Sequence, residues 1–337
     1  MLSHIQDELN KPYYFFRPGQ VLLRLRRKIT GCKPDAAFEQ VVLPWGLPIQ
    51  VHLTDMIGNA IYRAGLYDLC VSEVLWRLLD KAETGVDAGA NIGQMTSIMA
   101  RRVGSEGRVL SFEPHPQVFQ ELAANVAAWR TDPSVGKIET YEMGLSKEAG
   151  VAALHTTSEF AQNRGTASLE VSNDKNIDEG VTHSISIERL ENVVPSHSNV
   201  GVMKLDVEGH EIDLLQGAFR LLKEKRIRDI VFEEHNSYPS PVTDYLEQQG
   251  YTVFSIEQGP LALRVSPAKH DAAHYKYEAQ SFLATLDAPR ALKRLNQWGY
   301  QSLQAHENSG KSNFVRIAAG SALLFAIWFL ASKAKNK

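Results

Sequence analysis

The sequence predicts an α/β protein with a doubly wound, mostly parallel sheet and one C-terminal transmembrane helix. The first observation is that short apolar runs alternate with amphipathic runs from Val86 to residue 257. Strands that alternate with helices are typical of a parallel sheet covered by helices on both faces. The second observation is an uncharged run at residues 317–332 near the end of the chain. Its composition indicates a membrane span and adds the helix to the predicted fold.

The strands and helices of the sheet follow in order along the chain. Leu122 lies at helical spacing between Val118 and Val126, which indicates a helix, and Gly250 ends the last helical run. The predicted strands begin at Val86 and then cover 108–114, 137–145, part of 200–210, 228–235 and 251–257. The predicted helices cover 94–102, 116–129, 211–223 and 240–250.

Residues 151–198 interrupt this alternation. They are rich in Ser, Thr, Asn and Asp and contain short β-like runs such as "THSISIERL". We interpret them as an insertion of loops and small strands, and we find no internal repeat.

Composition limits the classes of function. The chain has 337 residues, of which 44% are hydrophobic and 22% charged, and its formal net charge is -3. This balance does not indicate nucleic-acid binding. The only cysteines, Cys32 and Cys70, argue against a disulfide scaffold and against structural zinc, and are compatible with a reducing compartment.

The C-terminal run predicts a single-pass membrane anchor, with the α/β domain in the cytoplasm. A spanning helix needs about 20 mostly apolar residues. Arg316 and the lysines at 333, 335 and 337 suit the two interfaces, and the alternative is a buried amphipathic helix. The predicted organisation is an N-terminal extension (1–44) with a basic amphipathic segment, an α/β domain (45–305), a linker (306–313), the anchor (314–332) and a basic tail (333–337).

The stretch after the first strand predicts a ligand site. Asp87 ends the strand, and Gly89 and Gly93 allow a sharp turn before a helix whose free amides can bind an anion. The dinucleotide fingerprint with three glycines is absent. Glu113 ends the second strand 24 residues after Gly89, near the spacing of a ribose-binding carboxylate. A ligand with a ribose, an amine and a carboxylate fits these groups better than NAD does, and S-adenosylmethionine is such a ligand.

Three separated motifs, in this order, resemble the FkbM-type methyltransferases: "VDAGANIGQMT", "SFEPHPQVFQELAANV" and "MKLDVEGHEIDLLQGA". The resemblance covers roughly residues 45–305. It implies a class I, Rossmann-like methyltransferase that uses S-adenosylmethionine, mostly on hydroxyl groups of sugars or natural products. It assigns the methionine part of the cofactor to four residues, Asp87, Gly89, Asn91 and Gly93. Glu113 is then expected to bind the ribose hydroxyls, and Thr96 either touches the cofactor or caps its helix.

A second group of polar residues, Asp206, Glu208, His210 and Glu211, follows the fourth strand of the pattern. In the first interpretation they position and deprotonate the acceptor, which we favour for His210 together with Asp206 and Glu208. In the second they bind a divalent metal with Glu233, Glu234 and His235, although no metal is part of the main prediction. In the third they stabilise the start of the next helix, which we favour for Glu211.

The predicted function is therefore O-methylation of a hydroxyl on a sugar, glycan, lipid or natural product. One alternative is a membrane-tethered binding protein that keeps the fold without turnover. A weaker alternative is an NAD-dependent oxidoreductase, against which the missing third glycine speaks. The acceptor and the oligomeric state are not predicted.

Overall fold

The computed structural model describes residues 38–156, 181–234, 238–268 and 280–304, with Pro12 and Phe160 as single residues. The strands are β1 Phe38–Val42, β2 Pro48–His52, β3 Thr84–Ala88, β4 Arg108–Phe112, β5 Lys137–Tyr141, β6 Gly144–Leu145, β7 Gly150–His155, β8 Thr182–Glu188, β9 Val200–Leu205, β10 Ile227–Glu234, β11 Thr252–Gln258, β12 Leu263–Pro267 and β13 Gln280–Thr285. The helices are α1 Met56–Ala64, α2 Leu69–Leu78, α3 Gln94–Val103, α4 Pro116–Trp129, α5 Leu190–Val193, α6 Glu211–Gly217, α7 Phe219–Lys223, α8 Pro241–Gln248 and α9 Ala288–Leu295, followed by a 3-10 turn at Ser302–Gln304.

Within the described residues, the main sheet has eight strands in the order β12-β11-β13-β10-β9-β3-β4-β5. Five neighbouring strands, β5, β4, β3, β9 and β10, are parallel. β13 runs antiparallel to both β10 and β11. From β3 the chain moves outward through β4 to β5, and it later returns to the other side of β3 as β9. Ligands of such sheets bind beyond the carboxyl ends of the strands at this reversal, so the fold places the candidate site between β3 and β9.

The core lies on both faces of the main sheet because successive strand residues point to opposite faces. In β9, for example, Val202 belongs to one buried cluster and Met203 to the other. Every residue of β3 and of β9 is buried. The central strands are thus fixed by apolar contacts on both sides, and only their ends reach a crevice.

Two local features fix the backbone conformation at the starts of the helices beside β3. Asp68 precedes α2 in a left-handed conformation, with φ 44°, and its side chain accepts a hydrogen bond from Val71 N at 3.0 Å. Gly93 precedes α3 with φ 96°, and no side chain caps that helix. Both helices therefore begin at the carboxyl edge of the sheet in tight turns.

Two smaller units flank the main sheet. β1 and β2 form an antiparallel hairpin, which is tied to α3 by a hydrogen bond of 2.9 Å from the Trp45 indole to Ser97 Oγ and to α4 by one of 2.8 Å from Gln50 N to Asn125 Oδ1. A three-stranded sheet is formed by β6, β8 and β7, and of these strands β8 lies inside the predicted insertion, β7 begins one residue before it and β6 precedes it.

The predicted alternation of strands and helices agrees with the structure for the parallel part of the sheet. The predicted helix at 116–129 has these bounds as α4. The predicted helix at 211–223 is instead two short helices that meet at Ala218. At Gly217 a Cβ atom would lie 2.0 Å from Ser146 O, so the first helix ends where it contacts the small sheet.

The predicted transmembrane helix is wrong as part of this fold. Among the described residues, no helix has the length and apolar character needed to cross a membrane. The longest of them, α4, has 14 residues, and at 1.5 Å per residue it is about 21 Å long, against about 30 Å of hydrocarbon in a bilayer. Residues 314–332 lie outside the described residues. Within the described residues the fold is the α/β architecture alone, and the predicted single-pass localisation is corrected with it.

The predicted boundaries of the other segments stay predictions. The basic segment at 15–28, the linker at 306–313 and the tail at 333–337 lie outside the described residues.

Candidate functional site

The carboxyl ends of β3, β4 and β9 meet at the reversal of strand order, where ligands of such sheets bind in a crevice, and we call this place the switch-point crevice. Its wall consists of polar side chains and turn residues from these three strand ends: Asp87, Gly89, Glu113, Lys204 and Asp206. In the register of β3 with β9, Asp87 lies opposite Lys204. The acids that the sequence analysis assigned to a cofactor and to an acceptor are thus brought to one place.

Asp87 is completely buried at the end of β3. Its Oδ2 atom accepts a hydrogen bond of 2.6 Å from Thr96 Oγ1, and Thr96 also lies 2.9 Å from Ser111 Oγ. Its Oδ1 atom has no hydrogen-bond partner among the described residues. Burial raises the pKa of Asp87, whereas Lys204 and Thr96 act in the opposite direction. Thr96 therefore does not cap its helix but holds the carboxyl group of Asp87.

The turn after β3 requires glycine at its first position. Gly89 has φ +75°, and a Cβ atom there would lie 1.8 Å from Asp206 O. Asn91 is also left-handed, with φ 48°, and its own side chain accepts a hydrogen bond from Ile92 N at 2.8 Å. The turn thus passes against the end of β9, where a side chain on residue 89 has no room.

Gly93 serves a different purpose from Gly89. A Cβ atom at Gly93 would lie 2.7 Å from the Leu122 Cδ1 atom and 3.0 Å from the Trp129 ring. Both neighbours belong to α4, on the core side of the turn. The predicted contact of Gly93 with a cofactor is therefore less direct than that of Gly89, since close contact between α3 and α4 already requires glycine here.

Glu113 is buried just beyond the end of β4, and only 7% of its surface is exposed. Its Oε1 atom accepts a hydrogen bond from His115 N and its Oε2 atom one from Asn91 N, both at 2.9 Å. Burial raises the pKa of Glu113 to about 7 in spite of these two bonds and of the charge of Lys204. Each carboxylate oxygen can accept a second hydrogen bond, so Glu113 is held in place and can still bind hydroxyl groups.

Lys204 brings one positive charge into the crevice. Its ammonium donates a hydrogen bond of 2.8 Å to Gly89 O, and it lies 2.9 Å from Asp206 Oδ2 and 3.9 Å from Asp87 Oδ1. The side chain of Asp206 is 36% exposed and that of Lys204 is 8% exposed. Asp206 thus connects the buried ion group to the open part of the crevice.

The turn from β9 to α6 carries the other predicted acceptor-side residues. Glu208 has φ +51° and Gly209 has φ +93°, and a left-handed conformation is uncommon for a glutamate. Burial, followed by the charge of Asp206, raises the pKa of Glu208 to about 7. Glu211 accepts hydrogen bonds from Gly209 N at 3.2 Å and Val207 N at 3.3 Å, which agrees with the helix-stabilising interpretation of this residue.

His210 is directed toward the small sheet. Its Nε2 atom lies 2.9 Å from Ser146 Oγ, and its Nδ1 atom lies 3.6 Å from Asp213 Oδ2. Asp213 in turn forms an ion pair of 3.0 Å with Lys147. Both ring nitrogens thus face protein groups, a geometry that favours a positioning role over the role of a base.

The sequence analysis missed the contribution of the turn before α2. Gln94 binds the backbone of Tyr67 at both polar atoms, with 2.6 Å from Tyr67 N to Oε1 and 2.7 Å from Nε2 to Tyr67 O. Burial raises the pKa of the Tyr67 hydroxyl, and the charges of Glu233 and Asp68 raise it further. Glu233, at the end of β10, and Asp68 therefore lie close to the same phenol. A Gln at the first helical position after the glycine turn is too weak a pattern to predict this contact.

Glu73 is completely buried in α2 and forms an ion pair with Arg77, so it is a salt-bridged helix acid. Among the residues that the structure describes, no three His, Cys, Asp or Glu side chains are grouped in a way that could hold a metal ion. His235, which belongs to the metal interpretation, lies outside the described residues.

The relatives that follow are all named methyltransferases. The sequence model of the methyltransferase FkbM domain matches residues 87–253. Over 146 residues the chain is 30% identical to Methyltransferase 1 of Beauveria bassiana, which covers 39% of this chain and 57% of that protein. Over 187 residues it is 27% identical to the hexuronic acid methyltransferase AglP of Haloferax volcanii, and this alignment covers 52% of this chain and 67% of that protein.

The alignment with the Beauveria bassiana protein thus spans little more than half of that relative's length. Among solved structures, the crystal structure of methyltransferase FkbM from Methylobacillus flagellatus is similar with a TM-score of 0.40 at 15% identity, over 66% of this chain and 46% of that one.

Proposed function

Since this chain belongs to the FkbM methyltransferase family through residues 87–253, we propose that it transfers a methyl group from S-adenosylmethionine to a hydroxyl group of a sugar-like acceptor. The observation that carries the proposal is the convergence of Asp87, Glu113 and Asp206 at the switch-point crevice. These three carboxyl groups end three neighbouring strands, where the fold places its ligand.

The residues of the crevice fit the proposed cofactor. The buried Oδ1 atom of Asp87 has no hydrogen-bond partner among the described residues, and a buried polar atom in that state needs one. A ligand ammonium supplies such a donor. Gly89 has a left-handed backbone and no side chain, which lets the turn bend sharply beside the acids of the crevice.

On the cofactor side, residues of the crevice bind S-adenosylmethionine and orient it. Glu113 accepts hydrogen bonds from the ribose hydroxyls while Asn91 N and His115 N hold its two oxygens. Asp87 and the turn at Gly89 bind the amino-acid part, and Thr96 keeps the Asp87 carboxyl group in its orientation. When bound, S-adenosylmethionine supplies an activated methyl group on a positively charged sulfur.

On the acceptor side, residues of the crevice face the positive sulfonium and accept the proton of the acceptor hydroxyl. The partly exposed carboxylate of Asp206 provides negative charge near the sulfonium. Glu208 accepts the proton that the acceptor hydroxyl loses, since its pKa of about 7 suits a base at neutral pH. His210 positions the start of α6 through Ser146. In-line alignment of the acceptor contributes about 7 to 11 kcal/mol to such a transfer, so no covalent nucleophile is needed.

A sugar-like acceptor is the class that two observations support. One relative is named a hexuronic acid methyltransferase, and the acceptor side of the crevice combines carboxyl groups with the phenol of Tyr67, which together bind hydroxyls. A protein that binds the cofactor without turnover stays the alternative.

The test is transfer of a deuterium-labelled methyl group from S-adenosylmethionine to a panel of neutral sugars, uronic acids and lipid-linked sugars, followed by mass spectrometry. We expect the full chain to add one labelled methyl to at least one acceptor. Glu208→Gln should lower the rate about 10²- to 10⁴-fold with nearly unchanged cofactor affinity. His210→Ala should lower it less. Cofactor binding without labelled product on any acceptor would favour the alternative.

A further inference from the structure

A single lysine on a central strand links the two halves of the switch-point crevice. Lys204 lies in β9, in a run of six buried residues whose other members are Val, Gly, Val, Met and Leu. Its ammonium reaches three oxygen atoms, on Gly89, Asp206 and Asp87, at 2.8, 2.9 and 3.9 Å. Asp87 and Gly89 lie at the end of β3 and in the turn after it, and Asp206 follows the end of β9, so the ammonium joins the two walls of the crevice.

If Lys204 served only to fill the strand, a charged side chain at this position would lower the stability of the fold. Transfer of an ammonium from water to a protein interior is unfavourable unless charges and hydrogen bonds compensate. Burial by itself lowers the pKa of Lys204, but the charges of Asp206 and Asp87 outweigh it, and the net direction is upward. The side chain is therefore charged, and an apolar residue such as those around it would fill the strand without that cost.

The contacts of Lys204 explain what the charge does. The turn at Gly89 passes so close to β9 that a Cβ atom on residue 89 would meet Asp206 O at 1.8 Å. The ammonium binds the carbonyl of Gly89 and the carboxylate of Asp206 at the same time. It thus fixes the direction of a turn carbonyl and of a partly exposed carboxylate relative to each other.

Without this cation, the carboxylates of Asp87 and Asp206 would have no compensating charge between them. Two carboxylates at one site repel each other. The partly exposed side chain of Asp206 would then move away from its position. We propose that Lys204 is a positioning residue, which keeps Asp206 directed into the crevice and holds the Gly89 turn in the shape that admits the cofactor.

This inference rests on the proposed function, and two variants test it separately from that function. Lys204→Met removes the cation and leaves both acids. Lys204→Met/Asp206→Asn also removes the acid that the cation compensates. Lys137→Met is the matched control, because Lys137 lies at the amino end of β5 in the same sheet with an exposed side chain. Thermal melting and calorimetric titration with S-adenosylmethionine and with its demethylated product are measured on each full-length protein.

We expect Lys204→Met to melt at a lower temperature than the wild type, and the double variant to regain most of that loss. Both should bind S-adenosylmethionine and its demethylated product about 10- to 100-fold more weakly, the range expected when hydrogen bonds to a charged group are lost. The control should behave as the wild type. A folded double variant with wild-type affinity for both compounds would overturn the inference and make Lys204 a purely structural ion-pair partner. A wild-type protein that binds neither compound would instead contradict the proposed function.

Discussion

At the scale of single residues, burial controls the charge of the carboxyl groups in the crevice. Glu113 and Glu208 both have pKa values raised to about 7, first of all by burial. Asp87 shifts in the same direction, although Lys204 and Thr96 oppose the shift. The folded protein without its ligand therefore keeps protons that free carboxyl groups would lose. A cationic, hydroxyl-rich ligand is the kind of molecule that such a site accommodates.

The raised pKa of Glu113 predicts a pH dependence of stability. The folded state holds this proton up to about pH 7, whereas the unfolded state releases it near its ordinary value of 4.5. The stability that the proton confers is present at low pH and is lost as the pH rises between these two values, by up to about 3 kcal/mol. We expect Glu113→Gln to remove this part of the decline in urea-unfolding free energy between pH 5 and pH 8.

The wild type and Glu113→Gln are compared by the slope of the unfolding free energy with pH, because glutamine also changes the two backbone hydrogen bonds at Glu113 and so shifts the absolute value. Glu106→Gln, at an exposed position, is the control and should follow the wild type. Parallel curves for the wild type and Glu113→Gln would show that this carboxyl group does not hold the proton.

At the scale of elements, the turn between β3 and α3 limits which residues fit beside the cofactor. Gly89 combines φ +75° with a position where a Cβ atom would overlap the backbone of Asp206. An alanine there must either open the crevice or adopt another backbone conformation, since left-handed backbone is costly for residues with a Cβ atom.

We therefore expect Gly89→Ala to weaken binding of S-adenosylmethionine by more than about 10-fold, an effect of at least about 1.4 kcal/mol. Gly150→Ala is the matched control, because no atom lies within 4 Å of the added Cβ in β7. Calorimetric titration of both variants measures the difference. Equal affinities of the two variants would mean that the turn does not contact the ligand.

A second element, α2, connects the crevice to the last described segment of the chain. Its first turn follows Asp68 at the crevice, and further along it the buried pair of Glu73 and Arg77 binds the backbone of residues 294–302. Glu73 accepts from Gln301 N and Ser302 N, both at 2.8 Å. The Arg77 guanidinium donates to Arg294 O at 2.8 Å and to Gly299 O at 2.7 Å. The ion pair thus holds the chain after α9 against α2.

Breaking one partner of this buried pair leaves the other charge uncompensated. We expect Glu73→Gln to lower the free energy of unfolding by about 3 to 5 kcal/mol. Glu139→Gln breaks the ion pair with Lys137, whose side chain is 69% exposed, and should cost about 0 to 1 kcal/mol. Urea unfolding measures both variants, and similar losses in the two would contradict the role of Glu73 in docking this segment.

At the scale of the whole molecule, the sequence predicts the parallel sheet and its acidic strand ends because both are local patterns. A strand of period two, a glycine turn and a helix of period 3.6 are visible within about 20 residues of sequence. These patterns place Asp87 and Glu113 at strand ends, where a ligand binds. Lys204 could not be assigned in this way. It stands in an apolar run, and its partners on Gly89 and Asp87 come from a strand more than 100 residues earlier.

Long-range contacts account for the other differences. The antiparallel strand β13 inserts between β10 and β11, a pairing that no local pattern indicates. The base role favoured for His210 stays a prediction, and its contact with Ser146, 64 residues earlier in the chain, is one that no local pattern indicates. The membrane anchor was predicted from apolar composition alone, and the described helices do not contain a span.

The central claim is that the switch-point crevice binds S-adenosylmethionine, and calorimetric titration of the full chain tests it most directly. S-adenosylmethionine, its demethylated product and NADH are titrated separately into the wild type and into Glu113→Ala. We predict that the wild type binds the first two and not NADH. We also predict that Glu113→Ala binds them more weakly by about 1.5 to 3 kcal/mol, through lost hydrogen bonds to a charged group. Tight binding of NADH with no response to S-adenosylmethionine would contradict the account.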